Sequence, residues 1–183
     1  DAAIAFINEF EASIPTFAII KHTNACGAAS RITVEEAWIA ALAGDPISAF
    51  GGILISNTKI NMAAAEMIDK IFYEVLLAPD FDEGVIEFLN KKPNRILIKL
   101  KFCPSSGLAY KSLLNGIIVQ EADVVEEEQS LFSVVTKLSP NEMELRDLHF
   151  ALKVVKHLKS NAIVLVKDEQ LLGMGCGQTS RVD

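Results

Sequence analysis

Lys21-His22-Thr23-Asn24-Ala25-Cys26-Gly27 concentrates the side chains of this sequence best suited to chemistry. A cation and a titratable imidazole stand side by side, with a thiol four residues on. The ammonium of Lys21 disfavours the imidazolium form of His22 and helps keep the ring neutral, as a general base requires. The pair therefore points to proton transfer; the structural alternative is a histidine that satisfies a loop carbonyl. Cys26 reads as a nucleophile or metal ligand, or as a small buried thiol. No C-x-x-C spacing completes a zinc site around it.

Other segments carry weaker signals. Asp45-Pro46-Ile47-Ser48-Ala49-Phe50-Gly51-Gly52 is a turn whose glycines permit close backbone approach, in a structural turn or at a ligand. Ser160-Asn161 joins a helix to a strand; Asn161 can end the helix in a left-handed turn or donate its amide to a developing oxyanion. Gly173-Met174-Gly175-Cys176-Gly177-Gln178-Thr179-Ser180-Arg181 lacks the G-x-G-x-x-G spacing of a dinucleotide loop. A glycine turn ending in polar donors still suits an anion or carboxamide.

The elements that must position these residues alternate. An apolar run, 16–20, predicts a strand covered on both faces, so Lys21 and His22 fall at its carboxyl end, where open α/β sheets place ligands. Helical patterns are expected at 2–10, 33–44 (a Thr33…Glu36 capping box, closed by Gly44 and Pro46), 61–71, 82–90 and 141–158. In the last, Leu145, Leu148, Leu152, Val155 and Leu158 share a face. Strands are expected at 52–56, 74–78, 95–100, 117–120, 131–138 and, as a buried strand, 162–166. Such alternation predicts an α/β fold with a mainly parallel or mixed sheet flanked by helices. A linker between two lobes is placed near 103–138, giving lobes at 1–122 and 123–183.

The chain has 183 residues, half of them hydrophobic, and a formal net charge of −7. That acidity argues against nucleic-acid binding, since no basic stripe exists to neutralise a phosphate backbone. Three widely spaced cysteines, Cys26, Cys103 and Cys176, fit a reduced cytoplasmic protein better than a disulfide framework. The longest apolar run, 37–43, is about two helical turns, too short for a membrane span. No signal-peptide pattern opens the chain. Its first residues already read as helix and its last follow a glycine turn, so it reads as a piece of a longer protein. The Glu126–Glu128 stretch reads as a solvated acidic segment.

In order along the chain, Lys-His-Thr-Asn-Ala-Cys-Gly, Asp-Pro-Ile-Ser-Ala-Phe-Gly-Gly, Glu74-Val-Leu-Leu-Ala-Pro-Asp-Phe81, Lys159-Ser-Asn-Ala-Ile-Val164 and Gly173 to Val182 resemble one family. It is the bacterial form of the bifunctional purine-biosynthesis enzymes AICAR formyltransferase/IMP cyclohydrolase, where AICAR is 5-aminoimidazole-4-carboxamide ribonucleotide. The resemblance runs over nearly the whole chain and matches the formyltransferase half. It implies a cytidine-deaminase-like layered fold without the deaminase zinc, its second lobe incomplete here. It implies formyl transfer from 10-formyltetrahydrofolate, the cosubstrate, to the 5-amino group of AICAR. His22 would accept the proton and bind substrate, and Lys21 would stabilise the transition state. Gly51, Glu74, Asn161 and Arg181 would contact AICAR, and Val182 would lie beside the folate. A cytoplasmic homodimer is implied, with cyclohydrolase activity in a separate amino-terminal domain and no activity for 1–183 alone. Ala25 stands where the family has Pro, a change that loosens the loop after His22. The residues by themselves leave a zinc-dependent deaminase-like hydrolase and a non-catalytic nucleotide-binding module open.

Overall fold

Four consecutive apolar side chains, Phe17 to Ile20, have less than 3% of their surface exposed, so the strand that carries them must be covered on both faces. A computed structural model of the chain describes residues 1–101, 107–125 and 132–181. It places that strand, β1 (Thr16–Lys21), at the centre of a seven-stranded mixed sheet. The sheet order is β5-β4-β3-β1-β2-β9-β8, from β2 (Asn24–Ser30), β3 (Gly52–Ser56), β4 (Tyr73–Ala78), β5 (Ile96–Lys99), β8 (Ile163–Lys167) and β9 (Gln170–Gly175). Side chains of β1 alternate between two cores. Phe17 and Ile19 join the layer of α2 (Val34–Gly44), α3 (Met62–Ile68) and α4 (Val85–Leu89). Ala18 and Ile20 join that of α1 (Ala2–Ile7) and α5 (Glu142–Lys156).

The α/β class and mixed sheet agree with the sequence reading. Among the described strands, the parallel pairs are β3–β4 and β4–β5, whose connections carry α3 and α4. β1 pairs antiparallel with both β2 and β3, and β9 pairs antiparallel with β2 and β8. Helix starts follow their capping residues. Thr33 accepts from Glu36 N, Asn61 from Ala64 N, and Asn141 forms a full capping box with Glu144.

Four sequence expectations are corrected. Residues 132–138, the described part of the expected strand 131–138, form no strand. The hairpin instead pairs β7 (Gly116–Glu121) with β6 (Leu108–Leu113), whose mixed polar sequence hides it. The apolar run of β8 is not buried: Ile163 and Leu165 are 70% and 64% exposed because β8 is an edge strand. On α5 the fully buried residues are Phe150 and Val154, whereas Leu148 and Leu152 are exposed. The helix packs through the face that carries Phe150 and Val154, where Phe150 lies 5.3 Å from Phe10. Cys103 and Glu126–Glu128 lie outside the described residues.

Glycine sets the spacing between sheet and helix layer. A Cβ on Gly27 would fall 2.1 Å from the carbonyl oxygen of Ala41 in α2, so only glycine lets that helix lie against β2. Gly27→Ala is expected to destabilise the fold by at least about 1–3 kcal/mol, the usual cost of overpacking, read as a lower urea midpoint.

Candidate active site

β1 ends by turning straight into β2. Lys21 pairs with Asn24, leaving His22 and Thr23 as a two-residue hairpin turn with His22 at φ 57°. The turn exposes the His22 ring. Ala25 is therefore a buried strand residue paired with Ile20, not part of a loop, so its substitution for Pro loosens nothing there.

Because β3 runs antiparallel to β1 and parallel to β4, the end of β1 meets the amino ends of β3 and β4. The site thus lies at the carboxyl end of one strand and the amino ends of its neighbours, unlike the all-carboxyl edge of an open parallel sheet. Two β-bulges shape this edge. In β4, Gly52 pairs with Tyr73 and Ile53 with Val75, leaving Glu74 as the extra residue with an exposed carboxylate. In β2, Ile19 pairs with Gly27 and Ile20 with Ala25, making Cys26 the extra residue.

Lys21 and Gly51 are brought together. The ammonium of Lys21 donates to the Phe50 carbonyl, and a Cβ on Gly51 would stand 3.5 Å from Lys21 Nζ. On the other side of the same peptide, Gly51 N–H donates to Phe72 O at 2.9 Å. Gly51 has φ 69°, the left-handed region that glycine enters without strain. The Phe50 and Phe72 rings, 5.4 Å apart, flank it. The start of β4 is fixed by a charged cluster below: Arg95 donates to Asp69 Oδ1 and, at 2.9 Å, to Ile71 O. Its guanidinium lies 4.3 Å from the Tyr73 ring centre.

Cys26 is a poor nucleophile or zinc ligand. Its thiol is buried, lies 3.5 Å from Ile19 O, and has its pKa pushed up to about 11, chiefly by desolvation and then by the Asp45 charge. That agrees with the small-buried-thiol reading.

Asn161 and Arg181 form a second group. Arg181 Nε donates to Asn161 Oδ1 at 3.0 Å, and Asn161 Nδ2 donates to Gln178 O at 3.0 Å. Gln178 and Asn161 also exchange backbone hydrogen bonds, both 3.3 Å. These residues, with Ser160, Ile163 and Ser180, line a cavity of about 560 Å³. Asn161 follows the end of α5 without entering the left-handed region, so its helix-stop alternative does not hold. The glycine segment is mostly strand β9; the turn proper is confined to the residues around Gly177, at φ 68°.

The two groups stand on different strands, with no hydrogen bond or ion pair between described residues joining them. β9 pairs with β2 at Ala29–Gln170, and the antiparallel sense sends the far end of β9 toward the end of the sheet that carries His22. Val182 lies outside the described residues. Sequence reasoning missed the Phe50 carbonyl, the backbone of Gln178, and Asn24, whose buried Oδ1 has no hydrogen-bond partner among the described residues. Only Asn24 carried a signal, being a polar residue inside the first motif.

The fold and site define an α/β domain with a cation-and-imidazole pair on a tight hairpin at a mixed-sheet edge. The sequence matches the family described as "AICARFT/IMPCHase bienzyme" over residues 1–183, and the chain belongs to that family. It is 53% identical over its whole length to a protein named bifunctional purine biosynthesis protein PurH from Bacteroides thetaiotaomicron, covering 36% of that protein. Proteins of the same name from Chlorobium chlorochromatii and Lactobacillus acidophilus are 45% and 42% identical, with 35% and 36% of their lengths covered. The chain therefore spans about a third of the length of these relatives. No helix among the described residues is long and apolar enough to cross a membrane.

Gly51→Ala is expected to destabilise the fold by about 1–2 kcal/mol, the cost of forcing an L-residue into the left-handed region, measurable by denaturant titration. Cys26 should resist iodoacetamide at pH 8 in the folded chain, read by peptide mass spectrometry. Its raised pKa adds a pH signature: an unfolded thiol ionises above about pH 9 while the folded one stays protonated, so stability falls from there to about pH 11. Cys26→Ala should flatten that slope.

Proposed function

We propose that this chain is a fragment of an AICAR formyltransferase, transferring a formyl group from 10-formyltetrahydrofolate to the 5-amino group of AICAR in purine biosynthesis. The observation that carries the reading is the pairing of a fixed Lys21 ammonium with an exposed His22 on one hairpin, within a chain that matches the family from end to end.

The attacking amine is conjugated with the imidazole ring and is a poor nucleophile. His22 takes its proton as the new N–C bond forms, a contribution of roughly 10²–10⁴-fold for a placed base. Lys21 stabilises the tetrahedral oxyanion at the formyl carbon, where loss of one donor typically costs about 10²–10³-fold. The bond from the formyl carbon to the folate nitrogen then breaks, and that nitrogen leaves with the proton that the His22 imidazolium returns, which restores the neutral base. Glu74, set outside the ladder by its bulge, accepts from ribose hydroxyls. Gly51 presents bare backbone, and Arg181, braced by Asn161, supplies fixed donors to AICAR. Val182 is assigned to the folate by family resemblance alone.

The same reading includes a cytidine-deaminase-like lobe at 1–122, the start of a second at 123–183, a cytoplasmic homodimer, and IMP cyclohydrolase activity elsewhere in a protein of the relatives' length. The buried, protonated thiol of Cys26 weighs against the zinc-hydrolase alternative. In a polypeptide of the relatives' length carrying this segment, His22→Ala should reduce formyl transfer at least about 10²-fold while leaving AICAR binding measurable by calorimetry. Wild-type turnover in that variant would sink the base assignment.

A further inference from the structure

The Phe50–Gly51 peptide is held from both sides. Its N–H is tied to Phe72 O at the start of β4, and its carbonyl receives the Lys21 ammonium. A planar peptide pinned at its N–H can reorient its carbonyl only if the preceding turn moves. That turn is fixed at its origin by Asp45. Its Oδ1 accepts from Ser48 N at 2.9 Å and its carbonyl accepts from Ala49 N at 3.2 Å. The Ala49 carbonyl in turn accepts from Gly52 N at 3.0 Å, closing the loop around Phe50. Lys21 has no carboxylate within ion-pair distance among the described residues, so the Phe50 carbonyl is the acceptor that aims it. Hydrogen bonds from Ser48 also hold the Asp45 carboxyl below its usual range, so the acceptor stays ionised at neutral pH.

We propose that Asp45 is a positioning residue for Lys21: its carboxylate caps the 45–49 turn and thereby fixes the Phe50 carbonyl that orients the ammonium. The role depends on an acceptor oxygen at one place rather than on negative charge. It deepens the formyl-transfer reading and rests on it where activity is the readout.

The test uses Asp45→Ala, Asp45→Asn and Asp45→Glu in a polypeptide of the relatives' length. Asn keeps an acceptor oxygen in place, whereas Glu keeps the charge and shifts the oxygen by one methylene. Asp45→Ala and Asp45→Glu should lower kcat about 10- to 100-fold with KM for AICAR changed less than about threefold, and Asp45→Asn should retain kcat within about threefold. Independently of activity, reductive methylation of Lys21, read by mass spectrometry on the folded protein, should quicken in the Ala and Glu variants only. Wild-type kcat and methylation rate in Asp45→Glu overturn the proposal even if Asp45→Ala does not fold. A loss in Asp45→Asn equal to that in Asp45→Glu also overturns it. Faster Lys21 methylation in a protein with no formyl transfer supports the positioning role and overturns the functional reading instead.

Discussion

Everything at the candidate site follows from the burial of β1 on both faces. A strand with helices above and below has no solvent-facing side, so Phe17 to Ile20 can only be apolar. After Thr16, whose buried hydroxyl is paired with that of Ser30, the next polar side chain is the one that clears the edge of the sheet, Lys21. Its placement is a consequence of desolvation: an ammonium one residue earlier would be buried among Ile55, Leu77 and α1 without a partner. The hairpin then adds His22 beside it, because two residues are all the turn between β1 and β2 contains.

The second requirement is that strands of opposite sense meet at the same edge. Antiparallel pairing of β1 with β3 brings the end of one against the beginning of the other, and parallel pairing of β3 with β4 adds the start of β4. Three separate sequence motifs thereby converge without any of them being long. The Asp69–Arg95–Ile71 interactions serve the same end from beneath, since they fix the segment that supplies Phe72 O to Gly51. Arg95 is almost wholly buried with its charge met by Asp69, and its loss would leave Asp69 only the exposed Lys92.

Much of this was legible in the sequence, and the exceptions have physical reasons. Strands 16–20 and 52–56 and the capped helices were readable because burial and capping leave marks on neighbouring residues, as at Thr33 and Asn141. Strand direction was not, since an apolar run carries no record of which partner it meets. β8 shows the limit of apolar runs: Ile163 and Leu165 look like core residues yet face outward on an edge. On α5 the leucine repeat outweighed Phe150 in the pattern, although Phe150 makes the contact. Lys21 and His22 stood out by residue type, whereas Glu74 was singled out only through the family resemblance. The backbone that aims Lys21 was invisible, because carbonyls and N–H groups are the same in every residue.

The two β-bulges have a further consequence, for how the length of this protein can vary. Tyr73 and Leu76 face the same core although they are three residues apart, and Cys26 and Gly27 face the same layer although they are adjacent. Each extra residue shifts the parity of its strand once, between the core and the site. Deleting the extra residue itself, Glu74 or Cys26, would restore a regular ladder with the flanking pairs unchanged, whereas deleting any other residue of these strands would turn the residues beyond it to the opposite face. These strands therefore tolerate a single-residue gap at the bulge alone; elsewhere along them such a gap is a change of face, where in a surface loop it would be a change of length.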